Sequence, residues 1–133
     1  MTGSPTDSLQ VELEVPPVVR TIDSVPITIR LRNTGDKQIQ VYLAGRPIAF
    51  DISITGPGAA LVWRRLEGQS IPAILRIETL LPGEMLELRD VWNQRTREGS
   101  RAAPGIYSVQ GTILSDSPTP LQTPVALLRI DAR

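Results

Sequence analysis

The side chains that could do chemistry in this chain are its carboxylates and its arginines. Histidine and cysteine are absent from the 133 residues. That removes the Ser-His-Asp triad, the imidazole general base, the thiolate nucleophile and zinc sites built from imidazole or thiolate. The one lysine, Lys37, falls in the turn Asn33-Thr34-Gly35-Asp36-Lys37. No Ser-Lys dyad is expected there, and no glycine-rich loop precedes it to cradle a phosphate. Seven aspartates and seven glutamates remain. Acid–base catalysis needs such groups converging on one substrate, and calcium binding needs them at close, fixed spacing. Here they are spread singly along the chain. The sequence therefore predicts a non-enzyme with no cofactor and no metal.

Thirteen of the fourteen basic residues are arginine, and the net charge is zero. This balance lacks the basic footprint of a nucleic-acid binder. Arg46 and Pro47 sit in Gly45-Arg46-Pro47. An arginine held in a rigid exposed loop, with proline behind it to hinder cleavage, suits a protease with a basic preference. Arg95, Arg97 and Arg101 fall in residues 93–103, a polar stretch that could present a patch to an anionic partner. For both groups the commoner outcome is a loop charge facing water. These five residues are the candidate partner-binding positions.

The elements that must position them are strands. Leu9, Val11, Leu13 and Val15 alternate with polar residues, as do Ile27, Ile29 and Leu31, then Ile39, Val41 and Leu43, then Phe50, Ile52 and Ile54. A period of two marks a strand with one face buried. Further strands are predicted over residues 61–66, 74–80, 85–91, 107–114 and 125–131. The stretch 70–81 partly fits a helical period as well. Pro16-Pro17, Gly56-Pro57-Gly58, Pro82-Gly83 and Pro104-Gly105 punctuate the pattern with turn chemistry. Twelve prolines and ten glycines, evenly spread, argue against long helices. The expectation is an all-β, immunoglobulin-like antiparallel β-sandwich of about eight to nine strands with Greek-key connections. Residues 9–133 form a single domain, after a flexible segment at 1–8. Residues 93–103 are an exposed connection with room for one helical turn.

Three aromatic positions carry structural expectations. Tyr107 follows Pro104-Gly105 and opens a strand, the place of a tyrosine corner whose hydroxyl pins the crossover between sheets. Trp63 and Trp92 could anchor a partner, but both sit in strand-like runs and read first as core. Asp51, beside Phe50, reads as the outward residue of its strand, paired with an arginine.

Several pieces in order resemble one family. They are Asn33-Thr34-Gly35-Asp36-Lys37, Phe50-Asp51, Val62-Trp63-Arg64, Leu81-Pro82-Gly83-Glu84, Val91-Trp92 and Pro104-Gly105-Ile106-Tyr107-Ser108-Val109-Gln110-Gly111. Their types and spacing resemble the BsuPI-like intracellular proteinase inhibitors over about residues 9–114. The chain departs from that pattern after Trp63, where Gly68-Gln69-Ser70-Ile71 lacks an aromatic, and after Trp92, where an arginine-rich stretch intervenes. The resemblance implies a cytoplasmic protein-binding module that occupies the cleft of a subtilisin-like serine protease with a loop or an edge strand. Residues 44–48 and 93–103 are the loops that would do so. The alternative is an immunoglobulin-like interaction or structural domain that inhibits nothing. No membrane span is expected, because no apolar run is long enough.

Overall fold

The computed structural model describes residues 8–45, 48–71, 74–116 and 121–132. Among them are eleven strands, a 3-10 turn at Pro57–Ala59 and no α-helix. The strands are β1 (Leu9–Glu14), β2 (Val18–Arg20), β3 (Val25–Asn33), β4 (Ile39–Ala44), β5 (Phe50–Thr55) and β6 (Leu61–Arg64). They continue with β7 (Leu75–Leu80), β8 (Met85–Trp92), β9 (Gly105–Ile113), β10 (Leu121–Gln122) and β11 (Ala126–Asp131). Among the described residues no helix is long and apolar enough to cross a membrane.

The middle of the chain folds back on itself. β3 pairs with β8, β4 with β7 and β5 with β6, all antiparallel. As this nested hairpin passes from its outermost to its innermost pair, it changes sheet. β1-β3-β8 form one sheet, β2-β11-β9-β5-β6 the other, and β4-β7 a two-stranded piece of its own. The result is an immunoglobulin-like β-sandwich with Greek-key connections. One pairing is parallel, between β2 and β11.

All nine strands read from the alternation are present. β2 and β10, three and two residues long, are too short to show a period. The ambiguous stretch at 70–81 contains β7, a strand. The connection at 93–103 has no helical turn; an Arg95↔Arg101 bridge closes it as a tight loop.

The core lies between the sheets. Ile27, Ile29 and Leu31 of β3 face Ile52 and Ile54 of β5, with Val109 and Ile113 of β9 and Leu128 and Ile130 of β11, all within 1% of full burial. Fully burying a side chain of this size stabilises by about 1.5–3 kcal/mol. The sheets approach closely where Ile29 lies over Gly111. At one end Trp92 of β8 is fully buried, with its ring centroid 6.2 Å from Trp63 of β6 and 6.1 Å from Tyr107 of β9. Its indole Nε1 donates to the Arg95 carbonyl at 2.9 Å. The Tyr107 hydroxyl donates to the Ala103 carbonyl four residues upstream, forming the tyrosine corner. Burial holds this phenol above its ordinary pKa, so it stays a protonated donor.

The outward face of β1-β3-β8 is a charge ladder. Arg30 reaches Glu14 on one neighbour at 2.6 Å and Glu87 on the other at 2.7 Å. Hydrogen bonds from Arg30, then from Arg89, hold the Glu87 carboxyl below its ordinary range. On this face Arg30, Arg89, Glu14 and Glu87 are paired, while Met85 and Val91 are exposed.

Candidate functional site

The face that departs from the sandwich rule is β4-β7. In β4 the pattern is regular: Ile39, Val41 and Leu43 are buried, while Gln40 and Tyr42 point outward. In β7 it is reversed. The register sets Leu80 opposite Ile39, Glu78 opposite Val41 and Arg76 opposite Leu43. Side chains of directly opposed residues share a face. So the charged residues Arg76 and Glu78 lie on the core side, and Leu75 and Ile77 lie on the solvent side. Exposures agree: Leu75 is 53% exposed and Ile77 54%, and Arg76 and Glu78 are half-buried.

The reversal follows from how the strand ends. Leu80 is buried in the core, and its carbonyl accepts a bond from Asn33 Nδ2 at 2.9 Å. Asn33 is itself fully buried, and Gly83 donates to its carbonyl at 2.9 Å. Leu81 N–H donates to Glu84 Oε1 at 2.7 Å, closing the Pro82-Gly83 turn. These contacts fix which residue of β7 enters the core. The period of two then places Glu78 and Arg76 inward and Ile77 and Leu75 outward. The inward charges satisfy one another, with Arg76 Nε 2.9 Å from Glu78 Oε2. The outer face carries Leu75, Ile77 and Tyr42. Contiguous exposed apolar side chains on a strand are a recognised interaction signature.

β7 is also an edge. Among the described residues it pairs with β4 alone. The other side of β4 is occupied: Ala44 N–H donates to the Leu114 carbonyl at 3.0 Å, and Asp116 N–H to the Tyr42 carbonyl at 3.2 Å.

The residues singled out from sequence fall elsewhere. Arg46 and Pro47 lie outside the described residues. Arg97 pairs with Glu67 at 2.8 Å, while its N–H donates to the Val62 carbonyl. Arg95 and Arg101 face each other across the bridge, and Arg95 Nη1 reaches the Gly99 carbonyl at 3.4 Å. The loop brings Arg95, Arg97 and Arg101 near one another, and all three are exposed.

Phe50, Trp63, Pro82, Gly83, Trp92, Pro104, Gly105 and Tyr107 occupy structural places. Phe50 is buried beneath the Arg65 guanidinium, 3.7 Å from its ring centroid. Arg65 also bonds Asp90 at 2.6 Å and the Phe50 carbonyl at 2.8 Å. Asp51 pairs with Arg64 at 2.6 Å on the outer face, as its alternation predicts. Trp63 is half-buried against Trp92.

Sequence reasoning missed a second feature, the tight loop after β2. Ile22 is 75% exposed at φ 73°, a conformation that a β-branched residue rarely adopts. Gln94, fully buried, holds the loop by donating Nε2 to the carbonyls of Arg20 and Asp23, each at 2.8 Å. Asp23 Oδ2 accepts the Arg20 N–H at 3.0 Å. No local sequence signal marks Gln94, because its partners are over seventy residues away.

A scan against family models and a search of curated proteins return no match. Solved structures are similar in shape at low identity. A CARDB domain from Pyrococcus furiosus in complex with di-metal ions is 14% identical, with 94% of each chain covered and a TM-score of 0.49. A β-glucosidase from Erythrobacter marinus is 15% identical with a TM-score of 0.51; 93% of this chain corresponds to 15% of that one. An alkylpurine DNA glycosylase from Pseudomonas fluorescens, bound to DNA containing an abasic site analog, is 11% identical with a TM-score of 0.51; 94% of this chain spans 31% of it. In both enzymes the similar part is a minor share of the chain. At such identities the likeness is one of fold, and by fold this chain is an immunoglobulin-like β domain.

Proposed function

We propose that this chain is a non-catalytic protein-interaction module that docks through the outer face and free edge of β7. The observation that carries the reading is the reversed polarity of that strand. A strand serving only the fold would place Leu75 and Ile77 inward and its charges outward. The reversal loses the burial of two large apolar side chains, and stability within the isolated domain does not account for it. A free strand edge beside an apolar face supplies both parts of strand-addition recognition: main-chain hydrogen bonds for affinity and side-chain contacts for selectivity.

The test is cross-linking from the face itself. A photoreactive residue at Leu75 is expected to yield a defined protein adduct, and the same residue at Thr112, on the outer face of β9, is expected to yield none. Equal labelling from both positions, or none from either, sinks the reading. Inhibition of a subtilisin-like protease, implied by the family resemblance, is a narrower form of the same proposal. It is tested by titrating the intact protein against such a protease and following initial rates.

A further inference from the structure

We propose that the partner of β7 is β7 of a second copy, paired antiparallel about a two-fold axis at Ile77. This rests on the reading of β7 as a docking edge and names its occupant. The first support is hydrogen-bond parity. Gly45 N–H donates to the Ile74 carbonyl at 2.8 Å, so residues 45 and 74 form a hydrogen-bonded pair of the β4-β7 ladder. Such pairs alternate along an antiparallel ladder. Leu43/Arg76 and Val41/Glu78 are then the next hydrogen-bonded pairs, and Ala44/Leu75 and Tyr42/Ile77 lie between them. The β4 side agrees, because Ala44 N–H and the Tyr42 carbonyl turn away from β7 to Leu114 and Asp116. The main-chain donors and acceptors of Leu75, Ile77 and Thr79 therefore point out of the free edge. They are spaced two apart, as a new ladder requires.

The second support is charge. An antiparallel strand centred on Ile77 sets Ile77 opposite its own copy, Leu75 opposite Thr79, and Arg76 opposite Glu78. The three outward-pointing residues become hydrogen-bonded pairs that exchange both bonds. Arg76 and Glu78 fall at the pairs between, where opposed side chains approach more closely. Each copy thus meets two opposite-charge pairs, one on each side of the axis. Inward-pointing charges normally protect an edge from pairing. Here they are one positive and one negative residue placed symmetrically about Ile77 and already paired within the strand, so a second β7 sets a further opposite charge across from each and an arbitrary apolar strand does not. The interface is isologous and closes after two copies.

The register makes a prediction that few other surfaces share. Arg76→Glu sets glutamate against Glu78 at both pairs, and Glu78→Arg sets arginine against Arg76. Mixed, the two variants oppose glutamate to arginine at every pair. Sedimentation of the full chain over about two decades of concentration reads self-association by mass action. The wild type is expected to dimerise with rising concentration, each variant alone to lose dimer by tenfold or more in affinity, and the equimolar mixture to regain it as a heterodimer. Circular dichroism of each variant checks its folding, and recovery in the mixture is itself proof of two competent strands. A wild type that stays monomeric throughout overturns the proposal. So does a wild type whose dimer is untouched by either substitution. If either result accompanies a defined adduct of different mass from Leu75, the docking face stands and its partner is another protein. If no adduct forms, both readings fall.

Discussion

Gly111 shows how much rides on one missing methyl. It lies mid-strand in β9, where glycine loses entropy and packs nothing. An added Cβ would stand 2.4 Å from Ile29 Cδ1 and 2.7 Å from its Cγ1. Ile29 is fully buried and has nowhere to go. Gly111→Ala is therefore expected to destabilise by about 1–3 kcal/mol through overpacking. Ile29→Val, which deletes Cδ1, should recover part of that loss in the double variant. A chemical-denaturation cycle over the four proteins checks it, and simple additivity would contradict the contact. Ile22 is the opposite case. It is held at positive φ by Gln94 and Asp23 while its side chain lies in solvent. The surrounding hydrogen bonds enforce that conformation, and the side chain contributes no core packing in return.

At the scale of elements, β4 and β7 carry the same kind of sequence and opposite meanings. Both alternate apolar with polar residues. β4 turns its apolar residues to the core, and β7 turns them away. Leu43→Ala is then expected to cost about 2–5 kcal/mol, as for a large-to-small change in a core. Ile77→Thr should stay within about 0.5 kcal/mol, as for surface positions. Both are measured by denaturation at low concentration, where the domain is alone. Equal costs would mean that Ile77 is buried and the assigned register of β7 is wrong. Residues 93–103 make a related point. They read from sequence as an exposed connection, and they fold into an exposed loop that is braced. The Arg97–Glu67 pair ties it toward β6, and the bond from Trp92 to Arg95 ties its root to the core.

Over the whole molecule, the aromatic cluster joins the two sheets. Trp92 comes from β1-β3-β8, and Trp63 and Tyr107 come from the β2-β11-β9-β5-β6 sheet. Tryptophan fluorescence thus reports the docking of the sheets, and circular dichroism reports the strands within them. The domain is one sandwich with one core, so both signals should follow a single unfolding transition. Fluorescence changing well before dichroism would show that the sheets separate before they melt.

The sequence alone determined nine of the eleven strands, the turns and the sandwich. Period-two alternation is a local property, and the turn residues act within four positions of themselves. It also determined the tyrosine corner, because Tyr107 and its acceptor Ala103 are four residues apart. Only the tertiary structure decided which face of β7 looks inward. Alternation shows that a strand has two faces, and both directions satisfy it equally. The choice came from Leu80 entering the core and Asn33 holding its carbonyl across 47 residues. The same holds for Gln94 and the Ile22 loop. Their bonds join distant segments, and such contacts exist only once the chain has closed on itself.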